Sequence, residues 1–156
     1  MIKLMRVDDR LIHGQVAVTW TNTIGANCIL IAKDNMTPLE ITACRISVPA
    51  GVKLVIKNVE DSIEAINSGA TDKYNLFIVI DSVTTAYRLM KGCEQVKELN
   101  LGRTTKRDGL ESISKFVHVT KEEKAMLKEL VNDGYNVYIQ TIPTTSATSL
   151  KNISLD

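Results

Sequence analysis

A histidine flanked by arginines and aspartates follows the first apolar run of the chain. The stretch from Arg6 to Val16 reads RVDDRLIHGQV and places His13 directly before Gly14. Imidazole is a good neutral nucleophile near pH 7, and a phosphorylated imidazole can pass its phosphoryl group on. Guanidinium groups such as that of Arg10 bind phosphate oxygens through paired donors. This pattern predicts that His13 is a nucleophile that carries a phosphoryl group.

The elements on either side of His13 are expected to hold it at a strand-to-helix turn. The apolar run over residues 2–7 predicts a strand, and apolar residues at helical spacing from Val16 to Ile24 predict the helix that follows. Free N–H groups and the helix dipole favour an anion at a helix N-terminus. We therefore expect the phosphate to contact Gly14 and Gln15 as well as Arg10.

Strands and helices alternate along the rest of the chain. Thr37–Glu40 and Thr120–Glu123 have the pattern of capping boxes, which mark helix starts. Apolar runs predict the further strands, at residues 27–32, 52–56, 76–80, 96–101, 116–119 and 135–142. Such alternation predicts an α/β fold. We expect a single domain over residues 1–156, with an open, mainly parallel sheet of about six or seven strands and helices on both faces.

Loops that leave parallel strands gather at one edge of the sheet, where ligands of such folds bind. That edge is predicted to collect the residues that follow the strands, namely His13, Asp34, Asp81, Ser82 and Arg103. Residues 102–114 look irregular, and their basic residues are candidates for contact with phosphate or an acidic partner; they are Arg103, Lys106 and Arg107. Ser82 has two interpretations, a donor to phosphate or a helix N-cap.

The charged residues around His13 allow more than one role each. Arg10 is expected to contact phosphate, whereas Arg6 either does the same or pairs with an aspartate across the sheet edge. One of Asp8 and Asp9 is expected to act in catalysis, by fixing the imidazole tautomer or by moderating the positive charge. The alternative is that both aspartates cap the turn.

Composition excludes several classes of function. A net charge of +1 and an aromatic content of 4% argue against nucleic-acid binding. The apolar runs are too short to cross a bilayer, and no signal peptide is recognisable at the N-terminus. The three cysteines form no C-x-x-C pair and predict reduced thiols in a cytoplasmic protein. Two histidines without a ligand cluster argue against a metal site, and we expect no cofactor.

The stretch from Arg6 to Val16 resembles the phosphorylation-site motif of the IIB components of the mannose/fructose/sorbose family. These belong to the bacterial phosphoenolpyruvate-dependent sugar phosphotransferase system. Trp20 and the segment 100–102 also fit, and the resemblance covers the whole chain. It implies an open α/β sheet and a protein-histidine:sugar phosphotransferase. The chain departs from the family at Arg103-Thr104, where a glycine and a methionine are usual.

By this resemblance, His13 accepts a phosphoryl group from the phosphohistidine of a IIA protein or domain. It then passes the group to a sugar imported through the membrane components IIC and IID, with which the cytoplasmic protein associates peripherally. The identity of the sugar, the phosphorylated imidazole nitrogen and the self-association of the chain stay open. Two alternatives remain, a histidine phosphatase or mutase and a non-catalytic module that binds sugar phosphates or anions. In the first of these, Ile12 would interrupt the usual Arg-His-Gly triplet.

Overall fold

The computed structural model describes all residues, 1–156. Its strands are β1 Ile2–Asp8, β2 Cys28–Ala32, β3 Lys53–Lys57, β4 Leu76–Ile80, β5 Glu98–Arg103, β6 Glu111–Ser114, β7 Val117–Val119, β8 Asn136–Ile139 and β9 Thr148–Ser149. Its helices are α1 Gly14–Ile24, α2 Pro38–Ser47, α3 Val59–Asn67, α4 Val83–Gly92 and α5 Lys121–Asn132, followed by a 3-10 turn at Leu150–Asn152. None of the helices combines the length and the apolar character that a membrane span requires.

Seven strands form one sheet in the order β3-β2-β4-β1-β5-β8-β9. The first six are parallel, and β9 alone runs antiparallel to its neighbour β8. The predicted α/β class and mainly parallel sheet are therefore confirmed. The run predicted at residues 116–119 is a strand outside this sheet, because β7 pairs with β6 in a separate antiparallel hairpin. Part of the segment predicted to be irregular thus belongs to that hairpin, which we call the β6–β7 hairpin.

The helices cover both faces of the sheet, as expected. Alternate strand residues point to opposite faces, so Met5 and Leu30 belong to one apolar cluster and Leu4 and Ile29 to another. The larger cluster packs the sheet against α3, α4 and α5, and the smaller packs it against α1 and α2. Strands buried on both faces explain why the central runs are continuously apolar. The three cysteines are free thiols inside these clusters.

Both capping boxes predicted from the sequence are present. Thr37 accepts a hydrogen bond from the main chain of Glu40, and Thr120 does the same for Glu123. The carboxylate of each glutamate accepts a hydrogen bond from the main-chain amide of its threonine. These reciprocal bonds fix where α2 and α5 begin at the edges of the sheet.

Candidate functional site

The connections of the sheet diverge between β1 and β5, which lie side by side. The chain leaves β1 through α1 towards β2, on one side of the sheet, and leaves β5 through α5 towards β8, on the other. α1 and α5 also pack on opposite faces. Such a divergence opens a crevice at the carboxyl ends of the two strands, which is where open α/β folds bind ligands. His13 follows β1, and Arg103 ends β5.

His13 is exposed at the N-cap position of α1, in an extended conformation. Its side chain makes no capping hydrogen bond, and no other side chain caps this helix. The four other α-helices are each capped by a side chain, those of Thr37, Asn58, Ser82 and Thr120. The first amides of α1, including those of Gly14 and Gln15, therefore lack the side-chain acceptor that the other helices have. A helix end in this state is suited to bind an anion.

Two residues with positive φ, one on each side of His13, shape the loop that places it outside the core. Leu11 has φ of 61° and Gly14 has φ of 51°. The side chains of Leu11 and Ile12 are buried, and the amide of Leu11 donates to the carbonyl of Asp8 at 2.8 Å. A leucine in the left-handed region is strained, so this packing must hold the turn in place. The loop is anchored on both sides of an exposed imidazole.

Asp8 holds Arg10 through three hydrogen bonds. Asp8 is 2% exposed, and its carboxylate accepts from the amide, Nε and Nη2 of Arg10, each at 3.0 Å. This hydrogen bonding raises the pKa of Arg10 above its ordinary value. The Arg10 side chain keeps 27% of its surface exposed. Its guanidinium, which Asp8 orients, therefore faces solvent in the same loop as His13.

The structure places Arg6 in the interior. It is 3% exposed, and its Nη1 donates to Oδ1 of Asn100 at 2.6 Å and to the carbonyl of Gln140 at 2.9 Å. Its Nη2 donates to the carbonyl of Thr141 at 2.9 Å and lies 3.6 Å from Oδ2 of Asp8. Burial lowers the pKa of Arg6 to about 10. Of its two predicted roles, the pairing with an aspartate is the one that these contacts show.

Trp20 and Gly102 complete the packing around Arg6. The ring centroid of Trp20 lies 5.1 Å from Cζ of Arg6, and its Nε1 donates to the carbonyl of Thr141 at 3.1 Å. A Cβ atom at Gly102 would lie 2.2 Å from Cζ of Arg6. Gln140 and Thr141 were not predicted as part of this site, because they act through main-chain carbonyls, which leave no trace in residue type.

Asp9 ties the loop of His13 to the chain that follows β5. Its amide donates to the carbonyl of Arg103 at 3.1 Å, and its Oδ2 accepts a hydrogen bond from the amide of Thr105. Its Oδ1 is buried and has no hydrogen-bond partner. Neither Asp9 nor Asp8 hydrogen-bonds to the imidazole, so the structure does not show an aspartate that fixes the tautomer of His13.

Ser82 occupies the N-cap of α4, where its Oγ accepts from the amide of Thr85 at 3.2 Å. This is the second of its two predicted roles. The other acidic residues predicted at this edge are engaged in ion pairs: Asp34 with Arg88 at 2.9 Å, and Asp81 with Lys33 at 3.8 Å. Their carboxylates are therefore partly neutralised.

A cleft of about 180 Å³ opens between the ends of β1 and β5. Its walls include Arg10 and Val16 from the loop and first turn of α1, and Arg103 from β5. Lys106 lies in a neighbouring cavity, of which Arg103 is also part. Arg107 is exposed and lines neither. The cleft therefore brings together Arg6, Arg10, Arg103 and the first turn of α1, whereas His13 is not among its lining residues and Arg107 lies apart.

Comparison with known proteins identifies the family. The sequence profile described as "PTS system sorbose subfamily IIB component" matches residues 2–155. A probable phosphotransferase enzyme IIB component from Streptococcus pyogenes is 38% identical over 162 residues, covering 98% of this chain and 99% of that protein. The crystal structure of the N-acetylgalactosamine-specific IIB component 1 from Escherichia coli is 30% identical and gives a TM-score of 0.87 over 95% of this chain and 98% of that one. The mannose-specific EIIAB component of Escherichia coli is 25% identical over 92% of this chain, which spans 45% of that longer protein. The chain therefore belongs to the sorbose subfamily of IIB components of the sugar phosphotransferase system.

Proposed function

We propose that His13 is the residue that carries the phosphoryl group between a IIA protein and a sugar. The observation that carries this proposal is the exposed imidazole at the uncapped N-terminus of α1, in the same loop as an arginine whose direction Asp8 fixes. A phosphoryl carrier must contact a donor and then an acceptor, so its imidazole has to be exposed. A buried one would be out of reach.

The reaction consists of two in-line displacements at phosphorus. In the first, an imidazole nitrogen of His13 attacks the phosphoryl group of a IIA phosphohistidine; the new N–P bond forms as the old one breaks. In the second, a sugar hydroxyl attacks the phosphoryl group on His13, the N–P bond breaks, and the hydroxyl proton leaves for water or a base of the permease. Phosphoryl transfer of this kind depends mainly on positioning and on neutralisation of charge.

The residues of the loop divide into phosphate contacts and supports. We assign phosphate contacts to Arg10 and to the amides of Gly14 and Gln15. Asp8 is a positioning residue, since it orients Arg10 and reduces the net positive charge next to the phosphate. That reduction matters because a carrier that held phosphate too tightly would slow the second transfer. Arg6, which is buried, acts through Asp8.

Family membership and one relative support a proposal for the partners. The name of the mannose-specific EIIAB component of Escherichia coli joins A and B functions in one protein, of which this chain matches a part. We infer that a separate or fused IIA domain is the phosphoryl donor here, and that membrane IIC and IID components deliver the sugar. The protein would then act in the cytoplasm at the surface of the permease.

Labelling with radioactive phosphoenolpyruvate tests the proposal. The full chain is incubated with the general phosphotransferase proteins and a IIA partner, and the labelled residue is mapped by mass spectrometry. We expect acid-labile, alkali-stable phosphate on His13 and none on His13→Ala. His118→Gln is the matched control, because His118 is the other histidine of the chain, and should be labelled as the parent is.

Label on another residue of His13→Ala would refute the assignment. Arg10→Ala should be phosphorylated at least about tenfold more slowly, because one charge-assisted hydrogen-bond donor to the phosphate is lost. An unchanged rate for Arg10→Ala would exclude Arg10 as a phosphate contact while leaving His13 as the carrier.

A further inference from the structure

A second cavity lies beside the cleft that Arg10 lines, between the end of β5 and the β6–β7 hairpin. Its volume is about 360 Å³, and Arg103 and Phe116 line it as well as the cleft. Pockets that hold small organic molecules begin at about 300 Å³. The cavity is therefore large enough for a small metabolite and shares a wall with the cleft that Arg10 lines.

The ring of His118 is an unpartnered polar group in this cavity. The residue is 9% exposed and lines the cavity, while its main chain is bound by Thr104. Neither ring nitrogen takes part in a hydrogen bond within the protein. The ring nitrogens are therefore free to bind a molecule that enters the cavity.

The charges around His118 are of one sign. Arg103, Lys106 and Lys115 line the cavity, and no carboxylate does. None of the three forms an ion pair, although nine such pairs are present elsewhere in the protein. Cations that line a concave surface without internal partners favour a phosphate or another multivalent anion.

The cavity has a fixed floor. The amide of Thr104 donates to the carbonyl of Phe116 at 2.9 Å, and its hydroxyl is hydrogen-bonded to the main chain of His118 at 2.6 Å. Asp9 binds the adjacent amide of Thr105. These bonds join the β6–β7 hairpin to β5 and to the loop of His13, so the backbone segments that border the two cavities are held together.

We propose that this cavity is a second anion site, which binds a small phosphate ester of the size of a phosphorylated monosaccharide. The cations and the His118 ring would bind the phosphate, and the hydroxyl of Thr105 and the ring of Phe116 would face the neutral part. The further consequence rests on the proposed function: an ester bound beside Arg103 repels an incoming phosphoryl group electrostatically. The product class of the transport reaction would thereby slow the phosphorylation of His13.

Binding is tested with the full chain by isothermal titration and by amide NMR shifts. The probes are mannose 6-phosphate, inorganic phosphate and mannose. We expect saturable binding of mannose 6-phosphate that shifts amides of residues 104–106 and 112–118, weaker binding of inorganic phosphate at the same amides, and none of mannose. Equal affinity for the ester and for inorganic phosphate would show a general anion site and overturn the assignment to an ester.

Variants separate this site from that of His13. Lys115→Ala and His118→Gln should each weaken binding of mannose 6-phosphate by about tenfold or more, through loss of an ammonium or an imidazole contact to the phosphate. Lys121→Ala, an exposed lysine that does not line the cavity, is the matched control and should leave it unchanged. Because Lys115 is exposed, the Lys115→Ala variant should fold. The proposal is overturned if the parent shows no saturable binding or if Lys115→Ala binds as tightly as the parent.

Two readouts keep this inference apart from the proposed function. His13→Ala should bind mannose 6-phosphate as the parent does, whatever the outcome of the labelling experiment. With the phosphoryl donor present, saturating mannose 6-phosphate should lower the initial rate of His13 labelling in the parent and not in Lys115→Ala. An unchanged rate in the parent would overturn the inhibitory role, whereas absence of any label would count against the proposed function alone.

Discussion

Substitution of Gly102 by alanine should destabilise the protein through one steric contact. The added Cβ would lie 2.2 Å from Cζ, 2.4 Å from Nη2 and 2.5 Å from Nη1 of Arg6. Arg6 cannot move aside cheaply, because its guanidinium is held by three hydrogen bonds and packed against Trp20. Gly102 is not among the glycines with positive φ, so backbone strain does not contribute.

The expected loss in the free energy of unfolding follows from what the clash disrupts. Overpacking of a core costs about 1–3 kcal/mol. Displacement of Arg6 would also break its contact with the buried Asp8, and breaking a buried ion pair costs about 3–5 kcal/mol. We therefore expect a loss of about 3–5 kcal/mol for Gly102→Ala. In a domain of this size that lowers Tm by roughly 6–20 °C.

Urea denaturation, followed by far-UV circular dichroism and by the fluorescence of the single Trp20, measures this loss. Gly134→Ala is a matched control: it has a φ of 90° and open space around it, so it should cost only about 1–2 kcal/mol of left-handed strain. Combining Gly102→Ala with Arg6→Met should be far less than additive, since the shorter, uncharged side chain removes the clash. Additive effects, or a Gly102→Ala protein within 1 kcal/mol of the parent, would refute the reasoning.

Three further outcomes are expected. Asp8→Asn leaves the buried Arg6 cation without its carboxylate and should cost about 3–5 kcal/mol in urea melts, more than Asp9→Asn; equal costs would contradict this. The hydrogen bond from Arg88 lowers the pKa of Asp34. The stability that this ion pair adds to the fold is therefore present above the unfolded pKa of about 3.9 and is lost as pH falls through the lower folded pKa. Melts from pH 5 to pH 3 should therefore show less loss for Asp34→Asn than for the parent. Burial raises the pKa of all three thiols, so a disulfide reagent at pH 8 should label them only in urea; the thiols are Cys28, Cys44 and Cys93.

The parts of the structure that were predicted correctly from the sequence are those that depend on local patterns. The two capping boxes depend on residues three positions apart, and the buried strands are continuous apolar runs. The strand-to-helix turn at His13 follows from one strand, one glycine and one helical stripe. Each of these features is determined within a few residues, so a single sequence is enough to recognise it.

The environment of Arg6 was beyond such reasoning for a physical reason. Its partners Asn100, Gln140 and Thr141 lie 94, 134 and 135 positions further along the chain, and two of them act through carbonyls. The β6–β7 hairpin was also missed in part, because β6 carries one apolar residue, Ile113, among polar ones. Its pairing depends on contacts with β7 and not on an alternating pattern of its own.

The position of β1 in the centre of the sheet bears on how partners meet His13. β1 is hydrogen-bonded to β4 on one side and to β5 on the other, and its last residue, Asp8, begins the loop that presents the imidazole. Amides of β1 should thus exchange with solvent among the slowest in the protein, whereas those a few residues later exchange fast. A donor or acceptor therefore meets an exposed ring that a short loop connects to the central strand of the sheet. We therefore expect the rate of each transfer to depend on the encounter and orientation of the visiting protein.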